Sequence, residues 1–248
     1  MKRASLFLIV AACGGDNNSP AIDARPSADA RRDAPADADE VLPDTPDGPI
    51  SLRFTEINPA GTTDLVELVA LNGGSLDGIK VEELTNSNFD FTFPDGFTVA
   101  ANDVIVLHLA GACSDQPGDA STCDSPAWDF SMPGTLSYSG KVFQVSGTGG
   151  ELMDAVPFVE SGGVAPTTYV AAVQQIQSLT RWDATPCIDD PSTGMAKDRY
   201  CRNISVIWDD LASDYSNSIS RIAGSDPLAV PGTRAQWSAA LPATFGTY

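Results

Sequence analysis

From Ser51 onward the chain consists of short apolar runs separated by clusters of Gly, Asn, Asp and Pro. The runs are four to seven residues long and rich in β-branched and aromatic residues, which predicts β-strands. Asn72-Gly73-Gly74 and Pro94-Asp95-Gly96 predict turns, because Gly and Asn accept positive φ angles. Short strands at this spacing are typical of a β-sandwich or barrel. The predicted strands are Leu52–Ile57, Leu65–Leu71, Ile79–Thr85, Phe89–Phe93, Val104–Leu109, Val142–Val145 and Leu152–Val156.

Two segments leave the type of element open. Between Tyr169 and Leu179 an apolar residue recurs every three positions, which suits one face of a helix, but three glutamines leave a strand open as well. Trp208–Leu211 is predicted to begin a short helical turn.

The first thirteen residues have the pattern of a secretory signal that ends at a cysteine. Lys2 and Arg3 precede an apolar run, Ala4–Val10, and small residues lead to Cys13. Val10-Ala11-Ala12-Cys13 resembles the lipobox of bacterial lipoproteins. The resemblance implies cleavage before Cys13 and acylation of its sulfur and its new amine. Because two or more acyl chains anchor a protein stably, we expect an extracytoplasmic protein held on a membrane, preferably the outer membrane. The apolar run is short for a signal peptide, which leaves open a start codon upstream of Met1.

Residues 13–50 are predicted to form a disordered acidic tether behind the signal peptide 1–12. Positions 14–50 hold six prolines, nine acidic and three basic residues, and almost no bulky apolar side chain. Such a composition cannot offset the entropy of ordering. A flexible coil of this length spans about 35 Å, and an extended chain up to about 115 Å. The tether would therefore hold a folded domain, residues 51–248, away from the lipid headgroups.

Several phrases of this domain look like those of a lamin tail domain. They are Phe54-Thr55-Glu56-Ile57-Asn58-Pro59, Asp64-Leu65-Val66-Glu67-Leu68, Ser75-Leu76-Asp77-Gly78-Ile79-Lys80-Val81, Phe93-Pro94-Asp95-Gly96-Phe97-Thr98-Val99-Ala100, Ser218-Ile219-Ser220-Arg221 with Trp237, and Pro242-Ala243-Thr244-Phe245-Gly246. The likeness spans about residues 52–246 and departs from the family at Leu65 and Ile79, where Trp is usual, and in the insertions of 110–215. It implies an all-β, immunoglobulin-like β-sandwich that serves interaction and not catalysis.

Cysteine usage agrees with an oxidising compartment. With Cys13 consumed by lipid, four cysteines remain, and four allow three connectivities. We favour Cys113–Cys123 and Cys187–Cys201, since each pair brackets a loop insertion rich in Gly, Asp, Pro and Ser. No C-x-x-C is present, which makes a zinc site a poor interpretation.

Composition narrows the function further. The chain has 33 acidic against 14 basic residues and a net charge of −19, so a nucleic-acid partner is excluded by repulsion from phosphates. The one histidine, His108, alternates onto the face of Val104 and Val106, opposite Ile105, Leu107 and Leu109, as a solvent-facing or edge residue. No G-x-S-x-G, S-x-x-K, H-E-x-x-H or P-loop motif occurs.

Acidic side chains leave two weaker hypotheses. The pairs Glu82/Glu83, Asp189/Asp190 and Asp209/Asp210 could serve a glycosidase, but neighbours on a strand face opposite sides. Hard cations favour carboxylate oxygens, so a calcium site is possible on four aspartates without EF-hand spacing. They are Asp115, Asp119, Asp124 and Asp129. No other cofactor is expected.

Two tryptophans in the insertions are candidate binding residues. Trp128 and Trp182 lie among Asp and Pro, where they either anchor a protein or a glycan or cap a small satellite core.

The sequence thus predicts a non-enzymatic, membrane-anchored lipoprotein that displays a β-sandwich module binding protein or carbohydrate, with insertions 110–140 and 180–215 as its recognition surface. The alternative is a hydrolase of the cell envelope or a calcium-dependent accessory module.

Overall fold

The computed structural model describes residues 49–58, 64–85, 89–109, 113–119, 127–134, 136, 140–208, 217–222, 225 and 230–246. All of them belong to one compact unit, Leu42–Tyr248. The strands are β1 (Leu52–Asn58), β2 (Leu65–Ala70), β3 (Gly74–Ser75), β4 (Lys80–Glu83), β5 (Asp90–Thr92), β6 (Thr98–Val99), β7 (Val104–Leu109), β8 (Trp128–Met132), β9 (Lys141–Ser146), β10 (Leu152–Glu160), β11 (Val206–Trp208), β12 (Asn217–Arg221) and β13 (Trp237–Pro242). The helix α1 is Tyr169–Ser178, and 3₁₀ turns occupy Pro191–Thr193, Ala196–Asp198 and Arg234–Gln236.

The long strands form two sheets. Sheet 1 has the order β13-β12-β1-β2-β7-β8, and sheet 2 has the order β11-β10-β9-β4-β5. The β7–β8 and β10–β11 pairs are parallel and the other pairs are antiparallel, while β3 and β6 form a separate two-stranded ribbon. Mixed sheets of this kind are common where an additional strand joins an antiparallel core.

The core lies between the inner faces of the two sheets. Phe54 of sheet 1 meets Phe143 of sheet 2 edge to face at 6.3 Å between ring centroids. Phe143 also stacks on Phe158 at 5.7 Å and meets Phe89 at 5.0 Å. Two packed sheets that share an aromatic core are a β-sandwich, so the predicted all-β fold class is confirmed.

All seven predicted strands are present, with ends that differ by a few residues. Val104–Leu109 has the predicted bounds, whereas the strand predicted to end at Val156 continues to Glu160. The ambiguous segment at Tyr169 is a helix whose buried face contains Tyr169, Val173 and Ile176, while Leu179 follows the helix and is exposed. Its buried face therefore follows the 3.6-residue period more closely than a repeat of three.

The helical turn predicted for Trp208–Leu211 is wrong at its start. Trp208 ends β11, which pairs in parallel with β10, and the side chain is buried. Tertiary pairing with β10 overrides the local pattern here. Residues 209–211 lie outside the described part of the chain.

Residues 147–150 form the turn of a hairpin between β9 and β10. The Gly147 N–H donates to the Glu151 carbonyl at 2.9 Å, and the Gly150 N–H donates to the Gly147 carbonyl at 2.9 Å. Gly150 has φ +81°, which glycine adopts without steric cost. The turn projects from sheet 2 beside the end of α1, where it shapes the site described below.

One of the two favoured disulfides is present among the described residues. Cys187 and Cys201 are bonded, which confirms that pair. Cys113 is disulfide-bonded as well, while its predicted partner Cys123 and the predicted acylation site Cys13 lie outside the described residues. The disulfide closes the loop that contains the 3₁₀ turns Pro191–Thr193 and Ala196–Asp198. At the end of this loop Tyr200 and Cys201 have positive φ angles, of 52° and 51°.

Candidate functional site

The outer face of sheet 2 carries two adjacent pairs of polar side chains. The register of β4 with β9 places Lys80 opposite Ser146 and Glu82 opposite Gln144. The Gln144 Nε2–H donates to Glu82 Oε2 at 2.9 Å. Val81 and Glu83, which alternate with Lys80 and Glu82 along β4, point into the core. Lys80, Glu82 and their partners on β9 therefore face outward together. We call Lys80, Glu82, Gln144 and Ser146 the polar platform.

The polar platform is the floor of a groove of about 440 Å³. One wall is the Gly147–Gly150 turn, and the other is the C-terminal end of α1 with Gln175 and Leu179. Leu179 is 48% exposed, so it offers an apolar surface beside the polar floor. An ammonium, a carboxylate, two amides and two hydroxyls line one concavity, which supplies both donors and acceptors to a polar ligand.

The groove was not predicted, because its parts come from three separate segments, residues 78–82, 144–152 and 175–179. Lys80, Glu82 and Gln144 lie within or beside predicted strands, and alternation alone places them away from the core. The three glutamines of Tyr169–Leu179 and the glycines of 147–150 are the other features of the groove that are visible in the sequence. Only the tertiary arrangement brings the helix end and the turn to the two sides of the same strands.

The predicted recognition surface at 110–140 contains a different, aromatic cleft of about 330 Å³. Phe91, Phe97 and Phe130 line it together with residues 114–117. Phe97 and Phe130 are buried and pack against each other at 4.8 Å between centroids. Their faces are thus used within the protein, which leaves the half-buried Phe91 as the accessible ring.

The proposed role of Trp182 as an exposed anchor is wrong. Its side chain is 1% exposed, and its Nε1–H donates to the Ile204 carbonyl at 3.0 Å. Residue 182 also forms a β-bridge with Gly232, where a Cβ would lie 3.0 Å from the indole ring. Trp182 therefore belongs to the hydrophobic core, because a distant segment of the chain covers it.

Trp128 is half-buried in the aromatic cluster at the start of β8. Its ring meets Phe97 edge to face at 5.9 Å, and its Nε1–H donates to Asp103 Oδ2 at 3.0 Å. These contacts satisfy both the apolar body and the polar tip of the side chain. Packing accounts for Trp128 without a ligand.

The aspartates of the calcium hypothesis are used in part for structure. Asp115 and Asp129 are both buried. The Asp115 N–H donates to the Asp129 carbonyl at 2.8 Å, and the Asp129 N–H donates to Asp115 Oδ2 at 2.8 Å. Asp119 is exposed in a tight turn at Gln116, and Asp124 lies outside the described residues. Within the described ranges no group of three metal-ligating side chains comes together.

His108 occupies the predicted face of β7, but in the interior of sheet 1 and not at its edge. Its Nε2 lies 2.6 Å from Asp129 Oδ1, and burial is the main factor that raises the pKa of Asp129. In the register of β7 with β8, His108 is opposite Ser131. The contact with Asp129 holds the imidazole in one orientation within sheet 1.

Glu82 and Glu83 are neighbours on β4 and face opposite sides, as predicted for a strand. Glu82 faces the groove, whereas Glu83 points into the core and pairs with Lys141 Nζ at 2.6 Å. Asp189 accepts from Arg199 Nε at 2.8 Å, which lowers the pKa of Asp189, and Asp190 accepts from the Ser192 N–H at 2.9 Å. None of these described pairs places two carboxylates across a cleft, and Asp209/Asp210 lie outside the described residues.

Fold and groove together define an all-β sandwich with a polar concavity on one outer face. The family model TP_1001_2nd, described as a protein second domain, matches residues 50–218, more than half of the chain. The chain belongs to this family. No curated protein matches it. Among the described residues no helix is long and apolar enough to cross a membrane.

Proposed function

We propose that the protein is a lipid-anchored, extracytoplasmic bacterial lipoprotein whose β-sandwich binds carbohydrate. The anchor would be Cys13, and residues 14–50 would be the tether. Two observations support this organisation. The family match begins at residue 50, where the acidic segment ends, and the oxidised Cys187–Cys201 pair is typical of proteins outside the cytosol.

A lamin-tail-like module is part of the proposal, and contacts between the similar phrases support it. Glu56 and Glu67 come from the first two phrases, and Ser218 comes from the fifth. The Ser218 hydroxyl and the Thr244 N–H both donate to Glu56, and the Gly246 N–H donates to Glu67. Phrases that are far apart in sequence therefore meet in one buried cluster, as residues that define a common fold would.

The side chains of the polar platform indicate which class of ligand the groove binds. Its four side chains stand on adjacent, hydrogen-bonded strands, which hold them in fixed positions. A ligand rich in hydroxyls both donates and accepts hydrogen bonds, so it matches a floor of amide, carboxylate, ammonium and hydroxyl groups. A protein partner would need a larger apolar centre than Leu179 provides. Of the two ligand classes, the groove favours carbohydrate.

A glycan array probed with the full chain carrying Cys13→Ala tests the binding, and titration calorimetry measures it for the glycans retained. We expect Lys80→Ala or Gln144→Ala to weaken binding about tenfold or more, since each removes a hydrogen-bonding group at the ligand. Lys197→Ala is the matched control, because Lys197 is exposed in the second insertion, outside the groove lining. Retention of no glycan, or equal loss in Lys197→Ala, would refute carbohydrate binding at this groove.

The anchor is tested separately in cells. Labelled palmitate should be incorporated into the protein and should disappear in Cys13→Ala, which should also move the protein from the membrane to the soluble fraction. A Cys113→Ala variant controls for acylation at another cysteine. Unlabelled wild-type protein would contradict the anchor and leave the groove proposal unaffected.

A further inference from the structure

Another cavity, which we call the second cavity, adjoins the groove at the same end of sheet 2. It has a volume of about 410 Å³, and Gly147 and Thr148 line both it and the groove. The lining alternates along the two neighbouring segments: residues 78, 80, 150 and 152 line the groove, whereas residues 77, 79, 151 and 153 line the second cavity. The two cavities therefore lie on either side of the end of sheet 2 and meet at the turn.

The second cavity contains two carboxylates that the turns around it hold in place. The Asp77 carboxylate accepts from the Gly96 N–H at 2.7 Å. The Glu151 carboxylate occupies the space that a Cβ at residue 147 would fill, so it lies directly against the turn. In the described part of the chain neither acid forms an ion pair. Both carboxylates can accept hydrogen bonds from the hydroxyls of a ligand.

The rest of the lining of the second cavity is largely apolar, and Asn72 fixes part of it. The apolar residues are Ile50, Ile79 and Met153. The Asn72 Nδ2–H donates to the Pro49 carbonyl, and Asn72 Oδ1 accepts from the Ser51 N–H, both at 2.8 Å, so the chain is held on either side of residue 50. A sugar ring has hydroxyls around its rim and C–H groups on its faces. A cavity with both carboxylates and apolar side chains matches one such ring.

Little side-chain volume separates the two cavities, because glycine lines the passage between them. A Cβ at residue 78 would lie 3.1 Å from Thr148 Cγ2, so a side chain there would fill the space beside the turn. Gly78 has φ +68°, which glycine adopts without steric cost. The shared wall is two residues wide, which is about 7 Å of extended chain. One sugar unit across this wall would place its two neighbours in the groove and in the second cavity.

We propose that the groove and the second cavity together bind one oligosaccharide, which crosses the turn at Thr148 and fills both with at least three sugar units. This inference rests on carbohydrate binding at the polar platform and adds that the ligand is a chain and not a single terminal sugar. The polar platform holds the first unit, Thr148 contacts the middle unit, and Asp77 and Glu151 accept from the hydroxyls of the third. A monosaccharide reaches only one of the two cavities.

Titration calorimetry of the full chain with Cys13→Ala tests the dependence of binding on ligand length. The ligands are oligomers of one to six units of N-acetylglucosamine, glucose, mannose and xylose, together with each glycan retained on the array and its terminal monosaccharide. We expect the affinity to rise about tenfold or more from one unit to three, because a hydrogen bond to a charged acceptor contributes about that factor. The affinity should level off once both cavities are filled.

Glu151→Ala separates the second cavity from the groove. It should lower the affinity for the trisaccharide about tenfold and leave that for the monosaccharide within about twofold, since only the longer ligand reaches Glu151. Lys80→Ala should weaken both, because every ligand contacts the polar platform. Asp119→Ala is the charge-matched control, since it removes one exposed carboxylate outside both cavities.

The possible results distinguish this proposal from carbohydrate binding itself. Tighter binding of longer oligomers that is lost in Glu151→Ala supports the extended site. Affinity that does not rise beyond one unit, or an equal effect of Glu151→Ala on the monosaccharide and the trisaccharide, refutes the extended site and leaves the groove as a site for one sugar. If neither an oligomer nor an array glycan binds, carbohydrate binding is refuted and the extended site with it.

Discussion

Arg221 and Asp154 form a buried ion pair that joins the two sheets, with Nη2 and Oδ2 3.2 Å apart. Arg221 ends β12 in sheet 1, and Asp154 lies in β10 of sheet 2. The register shift in β1 after Phe54 leaves its N–H free to donate to the same Asp154 oxygen at 3.0 Å. Arg221 Nε in turn donates to the Phe54 carbonyl at 3.1 Å. Asp154 is thus the partner of both the Phe54 N–H at the bulge and the buried guanidinium of Arg221.

Asp154→Ala should therefore destabilise the domain severely. It leaves the buried Arg53 and Arg221 without their shared anion, and removal of one partner of a buried pair costs about 3–5 kcal/mol. Urea unfolding monitored by tryptophan fluorescence measures the change. Asp95→Ala, at an exposed turn position, should change the free energy of unfolding by less than about 0.5 kcal/mol. A loss below about 1 kcal/mol in Asp154→Ala would contradict the assigned role.

The Lys141–Glu83 pair should behave differently, because its two partners can be replaced together. Both side chains are at most 1% exposed, and Glu83 Oε2 has no partner among the described residues. Lys141→Met or Glu83→Leu alone leaves an uncompensated buried charge and should cost about 3–5 kcal/mol. The double variant should recover most of that loss. If unfolding experiments give additive losses, the pair is not the source of either effect.

The sequence predicts the sandwich well because each long strand carries its own apolar pattern. Val104–Leu109 is an almost continuous apolar run, so its bounds are as predicted, and the two-residue period of a strand places His108 on the face of Val104 and Val106. Strand β8 is missed because Trp128–Met132 lies in an insertion rich in Asp and Pro, and it is held by parallel pairing with β7. A parallel partner distant in the chain leaves no local signal.

The groove and the tryptophans show where local patterns stop being informative. Alternation shows that Lys80 and Glu82 face away from the core, but not that α1 and a hairpin turn enclose them. Trp182 has polar neighbours in sequence, yet Gly232 and the carbonyl of Ile204 cover it. Burial depends on segments dozens of residues away, which leave no signal in the local residue pattern.

The domain should be more stable in mild acid than in mild base. Burial raises the pKa of Asp64 to about 6 and that of Glu67 to about 7. A raised folded-state pKa contributes stability that is fully present below the unfolded value and is lost as the pH rises through the folded value. The ordinary pKa values of these side chains are 3.8 and 4.5, so the two increases correspond to about 3 kcal/mol each as an upper limit. The affected window runs from about pH 4 to 7.

Chemical denaturation at pH 5 and pH 8 measures this dependence. The lowered pKa of Asp189 acts in the opposite sense, but that group is near the surface beside Arg199. Asp64→Asn combined with Glu67→Gln should remove most of the difference between the two pH values. Equal dependence in this variant and the wild type would mean that other groups control it.

The Cys187–Cys201 disulfide should stabilise the domain by about 3 kcal/mol, because it closes a loop with a sequence separation of 14 residues. Cys187→Ala with Cys201→Ala removes this bond without leaving a buried hydroxyl, since Cys201 is fully buried. Urea unfolding of the double variant isolates its contribution, whereas a reductant would also break the bond at Cys113. Hydrogen exchange in the double variant should show the greatest loss of protection in residues 188–200, where Gly194 and Tyr200 have positive φ angles. The loss of protection should be smaller at Trp182, which is buried in the core. A variant with unchanged stability and unchanged exchange in 188–200 would show that the hydrogen bonds of Arg202 to the carbonyls of Ala196 and Gly163 hold this insertion without the disulfide.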